Sequence, residues 1–102
     1  MALFDRLFGS RRMERIRRQL VRDRERLAQL SAGGSAEHPI EVAAASVVEV
    51  RARAMSCPHC GATYRMHDHR AVGPGLRAVD VRCQLCSTRR TLWFRLGSAE
   101  SN

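Results

Sequence analysis

Four cysteines stand in two pairs, Cys57-Pro58-His59-Cys60-Gly61 and Cys83-Gln84-Leu85-Cys86-Ser87, with twenty-two residues between the pairs. They are the only cysteines in the chain. Two residues between paired cysteines let one turn aim both sulfurs at a single ion. Four thiolates complete a tetrahedron with Zn–S near 2.3 Å. Pro58 fixes its own φ at the start of the first turn, and Gly61 is free to take a positive φ at its end. One structural Zn2+ on Cys57, Cys60, Cys83 and Cys86 is therefore expected. A closed four-thiolate shell keeps no position open for water or substrate, so no catalytic residue is assigned and no small-molecule substrate is expected.

Other chemistry is open to these residue types. Rubredoxin-like proteins hold iron on paired cysteines, but they are generally acidic, and this chain carries a net charge of +8. Oxidative release of the metal is a second use of such thiols. His59 sits inside the first knuckle, where a fifth ligand is not needed, and reads as an exposed knuckle residue. His67-Asp68-His69 has the residue types of a second metal site or an acid–base set, and the simpler reading is a polar strand end.

The elements around the cysteines follow from periodicity. Val48, Val50, Ala52 and Ala54 alternate with Glu49, Arg51 and Arg53, which predicts a half-buried strand. Tyr64 and Met66 alternate with Arg65 and His67. Val79 and Val81 alternate with Asp80 and Arg82. Leu92, Phe94 and Leu96 alternate with Trp93 and Arg95. Four antiparallel strands result, with a cysteine turn after the first and another after the third. The loop at Gly73-Pro74-Gly75 separates the middle two.

The Cys-Pro-x-Cys-Gly knuckle, followed by a second Cys-x-x-Cys beyond a central loop, resembles the zinc-ribbon family over residues 46–97. The resemblance implies a structural zinc and a role in binding nucleic acid or protein, with no particular partner. The second knuckle departs from the family pattern: Ser87 stands where glycine is usual, which predicts a less regular turn.

Ahead of the ribbon, residues 11–30 read as an Arg-rich amphipathic helix without internal Gly or Pro. Met13, Ile16, Leu20, Leu27 and Leu30 fall at a/d spacing, with Asp23 interrupting the seam. Residues 1–9 form a short amphipathic piece in which Leu3 and Leu7, and Phe4 and Phe8, pair at i,i+4. Gly9 and Ser10 are expected to end it, with Ser10 as the N-cap of the next helix. The whole of 1–30 is a helical segment, 31–46 a flexible linker, 47–97 the ribbon and 98–102 a disordered tail. The fold class is small α+β.

All eighteen basic residues are arginine, against ten acidic ones. Parity places Arg51, Arg53, Arg65, His67, Arg82, Arg89, Trp93 and Arg95 on one sheet face, with Glu49 and Asp80 as its acids. Such a face suits single-stranded or structured nucleic acid: arginine neutralises phosphate and tryptophan offers a base a platform. The plainer reading is a solvated face with Trp93 packed on arginine stems. The opposite face is apolar and needs a cover: the 11–30 helix, a second copy or a larger partner. This leaves an alternative function, an assembly adaptor that docks on a protein through Met13, Ile16, Leu20, Leu27 and Leu30 or through the apolar sheet face.

Nine arginines from Arg6 to Arg26 beside Leu3, Phe4, Leu7 and Phe8 have the look of an interfacial membrane helix. Asp5, Glu14, Asp23 and Glu25 lie among them, and a solvated helix is the commoner outcome. Residues 1–9 lack a secretory h-region and no stretch is apolar enough to span a bilayer. A cytoplasmic location is the expectation.

Overall fold

The computed structural model describes residues 2–97, and the side chains of residues 10–97. The expected tail at 98–102 and the side chains of Leu3, Phe4, Leu7 and Phe8 lie outside the described residues. The order of elements is α1 (Ala2–Leu30), β1 (Ile40–Val42), α2 (Ala45–Ala54), β2 (Tyr64–Gly73), β3 (Leu76–Cys83) and β4 (Arg89–Leu96). The strands form one sheet in the order β1-β4-β3-β2.

The class is α+β, but the sheet is mixed rather than antiparallel. β3 runs antiparallel to both β2 and β4, whereas β1 lies parallel to β4, with Ile40 opposite Phe94. The expected first strand, Val47 to Ala54, is the helix α2 instead. Its alternation satisfies two periods at once. Val48 and Ala52, one helical turn apart, are fully buried, while Val50 is 64% exposed. Alanine, glutamate and arginine around them favour a helix, and the sheet's apolar face supplies the surface for Val48 and Ala52 to cover.

That face carries Tyr64, Val79, Val81, Leu92 and Phe94, all buried, and β1 adds Ile40 and Val42. The cover it requires is therefore α2, with a bond between Glu49 Oε2 and His69 Nδ1 at 3.0 Å fastening helix to sheet. The segment read as a linker carries β1 and is tied down. The Trp93 amide donates to the Gly33 carbonyl, and the Gly97 amide donates to Val42. Gly33 has φ +83°, a backbone conformation that favours glycine, and a Cβ there would have to displace the tip of the Ile40 side chain.

α1 runs unbroken through Gly9 and Ser10, so Ser10 is an internal helical residue and not an N-cap. A single glycine costs about 1 kcal/mol within a helix, too little to break one of this length.

Candidate metal centre and basic face

Two near-identical turns build the metal centre. In the first, the Cys57 amide donates to the Ala62 carbonyl and the Gly61 amide to the Cys57 carbonyl, both at 2.8 Å. In the second, the Cys83 amide donates to Thr88 at 2.9 Å and the Ser87 amide to Cys83 at 3.2 Å. Gly61 has φ +80° and Ser87 φ +64°. The second knuckle is thus as regular as the first, and Ser87 adopts the left-handed conformation that glycine fills in the other. The Ser56–Thr63 bridge closes the first turn, and Gln84 ties the second turn to it, its backbone amide donating to the Thr63 carbonyl and its side-chain amide to the Thr63 hydroxyl.

The four sulfurs all lie within 4.8 Å of one another. Across the knuckles, Cys57 Sγ is 3.7 Å from Cys86 Sγ and Cys60 Sγ is 3.2 Å from Cys83 Sγ. A tetrahedral ion with bonds near 2.3 Å sets its sulfurs about 3.8 Å apart. The Cys57–Cys86 separation matches that spacing, and the Cys60–Cys83 separation is the shorter of the two. The Leu85 and Cys86 amides point at Cys83 Sγ, each at 3.4 Å, and stabilise a thiolate there.

Electrostatics at the cluster favour a cation. The Thr88 hydroxyl and amide push the Cys86 thiol down to about 6. The Ala62 amide favours the Cys60 thiolate, but the Cys83 thiol, desolvation and the other two thiols outweigh it and drive Cys60 up to about 11. Four sulfurs this close cannot all ionise unaided; a dication at their centre removes the conflict. Cys57, Cys60, Cys83 and Cys86 are the one group among the described residues that could hold a metal ion. His67 and His69 do not form another. A bulge between Met66 and Asp68 shifts the register, so His69 turns to α2 while His67 borders Asp80 on the opposite face.

His59 is not exposed as expected. Its side chain is 13% accessible, and Nε2 lies 3.0 Å from Glu25 Oε1 on α1. The same carboxylate accepts from Arg90 Nη2, whose side chain is 6% accessible, and Arg24 Nη1 donates to the His59 carbonyl at 3.3 Å. Burial raises the Glu25 carboxyl, but His59 and Arg90 more than offset it and hold the group below its ordinary value. The C-terminal part of α1 is therefore pinned to the first knuckle and to β4. Periodicity gave no sign of this contact, because all three residues are polar and belong to separate elements.

The basic face is arranged by strand register. Arg65 pairs with Arg82, and Arg82 with Arg89, giving a row of three arginines across β2, β3 and β4. None of the three has an ion-pair partner among the described residues. Trp93 and Arg95 follow on β4, and Trp93 is half-buried opposite the fully buried Ala78. Arg70 joins the same face because of the bulge. It donates to Asp80 at 2.6 Å and to Asp68 at 3.4 Å, while the Thr91 hydroxyl donates to Asp80. Arg51 and Arg53 do not belong here. They stand on α2, which covers the other side of the sheet. Met13, Ile16, Leu20, Leu27 and Leu30 are all exposed along α1.

Among the described residues no helix is long and apolar enough to cross a membrane. No protein-family model matches this chain, and neither does a curated protein or a solved structure.

Proposed function

We propose that the protein is a non-catalytic module, a ribbon stapled by one structural zinc, that binds single-stranded or structured nucleic acid across β2, β3 and β4. The observation that carries this reading is the Arg65–Arg82–Arg89 row. Like charges directly opposite one another destabilise a sheet, and among the described residues no carboxylate forms an ion pair with them. A polyanion offsets that repulsion, and the backbone phosphates of a nucleic acid supply a matching run of negative charge. Trp93 and Arg95 extend the row. Trp93, half-buried on the same face, would offer a base a platform for stacking. Arg70 is occupied by Asp68 and Asp80 and contributes less.

Zinc suits the donor set: four thiolates, soft and anionic, in a closed shell on a basic chain. When bound, it cross-links two knuckles and contributes folding free energy. Cys57, Cys60, Cys83 and Cys86 hold it, and the rest of the chemistry is recognition by side chains. The chain is expected to act where nucleic acid is accessible, in the cytoplasm.

The single Trp93 reports directly on the face. Its emission is followed while short single-stranded RNA or DNA is added to zinc-loaded protein at low and then physiological salt. Saturable quenching that weakens with salt is expected. An unchanged spectrum in both conditions, with folded protein, overturns the reading.

A further inference from the structure

The seam of α1 faces away from everything the chain folds against. Glu25 marks the side of α1 that touches the knuckle and Arg90. At about 100° per residue, Met13, Ile16, Leu20, Leu27 and Leu30 lie roughly 120–180° around the helix from Glu25. All five are between 46% and 64% exposed. The ribbon does not need them, because α2 and β1 already bury its apolar face. A stripe at a/d spacing on an exposed helix is the form of a surface that another helix covers.

The flanks of the stripe identify the kind of helix. With Met13, Leu20 and Leu27 at a, the flanking e and g positions are Arg12, Arg17, Gln19, Arg24 and Arg26. No ion pair among the described residues neutralises any of these arginines; Arg24 alone is engaged, with a backbone carbonyl. A second copy is the wrong occupant. In a parallel pair Arg12 meets Arg17 of the other copy, and in an antiparallel pair Arg12 meets Arg26. Asp23, hydrogen-bonded to Gln19 at 2.9 Å, interrupts the seam at a d position and would face its own copy in the parallel arrangement. A lipid surface is also a poorer match, since the apolar stripe is narrow and contains that carboxylate.

We infer that α1 docks an acidic amphipathic helix of another protein. That helix has an apolar a/d seam, Glu or Asp at e and g, and a basic or amide residue opposite Asp23. The acidic flanks answer Arg12, Arg17, Arg24 and Arg26, and the polar position opposite Asp23 sets the register. This inference stands on α1 alone and does not depend on what the sheet binds.

The test uses the full zinc-loaded chain and two labelled synthetic peptides of about three heptads. Both have leucine at a and d; one has glutamate at e and g, the other lysine. Fluorescence anisotropy should show the glutamate peptide binding at least ten-fold tighter than the lysine peptide. Leu20→Asp and Leu27→Asp, with helix content checked by circular dichroism, should each weaken it at least ten-fold. Combining Arg12→Glu, Arg17→Glu and Arg26→Glu should reverse the preference. Equal binding of both peptides, or binding of neither, overturns the inference. So does self-association in sedimentation that Leu20→Asp removes, and so does seam-dependent binding to phosphatidylglycerol vesicles with neither peptide bound.

Discussion

Ser87 occupies in the second knuckle the position that Gly61 occupies in the first, with φ +64° against +80° and the same pair of backbone hydrogen bonds around it. One of the two equivalent turns therefore carries a side chain in the left-handed region. That conformation costs an ordinary L-residue about 1–2 kcal/mol. Ser87→Gly should raise stability, by about 1 kcal/mol after the added freedom of the unfolded chain is subtracted. Gly61→Ala should lower it by a similar amount through φ alone, since a Cβ there meets nothing within 4 Å. Urea unfolding of the zinc-loaded variants measures both, and a destabilised Ser87→Gly variant would refute the assignment.

Removing the metal should unfold the ribbon: apart from the sulfurs the knuckles are joined by the Gln84 bonds to Thr63 and Tyr64 and by the first β2–β3 pairs, and four crowded, uncompensated thiols oppose those contacts. A strong chelator is expected to abolish the cooperative thermal transition and much of the β signal in far-UV circular dichroism, leaving helical signal from α1. Loading should also release protons. The unloaded, unfolded chain keeps its cysteines largely protonated at neutral pH, as free thiols with a pKa of about 8.5 are. Close to four protons per metal are expected at pH 7, counted with an indicator in weak buffer.

Nucleic-acid affinity should depend on position in the sheet and not on arginine count. Arg82→Ala, at the centre of the row, should reduce the slope of log affinity against log salt by about 1. Trp93→Ala should cost about 1–3 kcal/mol of binding. Arg51→Ala and Arg53→Ala, on the far side of the sheet, should leave the slope unchanged. A slope that falls equally for all of them would point to diffuse charge attraction.

Asp80 restrains the same face. Its carboxyl is held below the ordinary 3.8 by the Thr91 hydroxyl and Arg70, against a smaller opposing effect of burial. A depressed folded value means that its contribution to stability is present above the ordinary carboxylate pKa and lost as pH falls through the folded one. The pair is intact at neutral pH, and the pH-dependent loss belongs below about 3.8. Asp80→Asn frees Arg70 and should tighten nucleic-acid binding at pH 7. Weaker binding would show that Asp80 positions the arginines instead of masking one.

The cysteine spacing made the four-thiol cluster legible, because two short turns and four equal candidate ligands leave few arrangements. Strict alternation on β3 and β4 correctly placed Val79, Val81, Leu92 and Phe94 inside and Arg82, Arg89, Trp93 and Arg95 outside. The bulge at His67 broke the same logic on β2. One extra residue there reverses the parity that follows, sending His69 inward and Arg70 outward. Alternation points Val48 and Ala52 inward, where they lie, but on the wrong element, since a ten-residue run with apolar residues at every second place also contains an i,i+4 pair. β1 is three residues long, too short for any period to show. Glu25, His59 and Arg90 lay beyond sequence reasoning because a polar contact across sixty-five residues leaves no periodic trace.

The grip of Glu25 and Arg24 on the knuckle gives α1 the mechanics of a lever with a short root. From Glu25 back to Ala2 the helix rises about 35 Å at 1.5 Å per residue, in a molecule 72 Å in its longest dimension. Rocking by about 10° at that root sweeps the far tip through about 6 Å, roughly one helical turn. Small slackness in one carboxylate's bonds becomes a large arc of search at the free end, and tightening them narrows that arc to a fixed bearing.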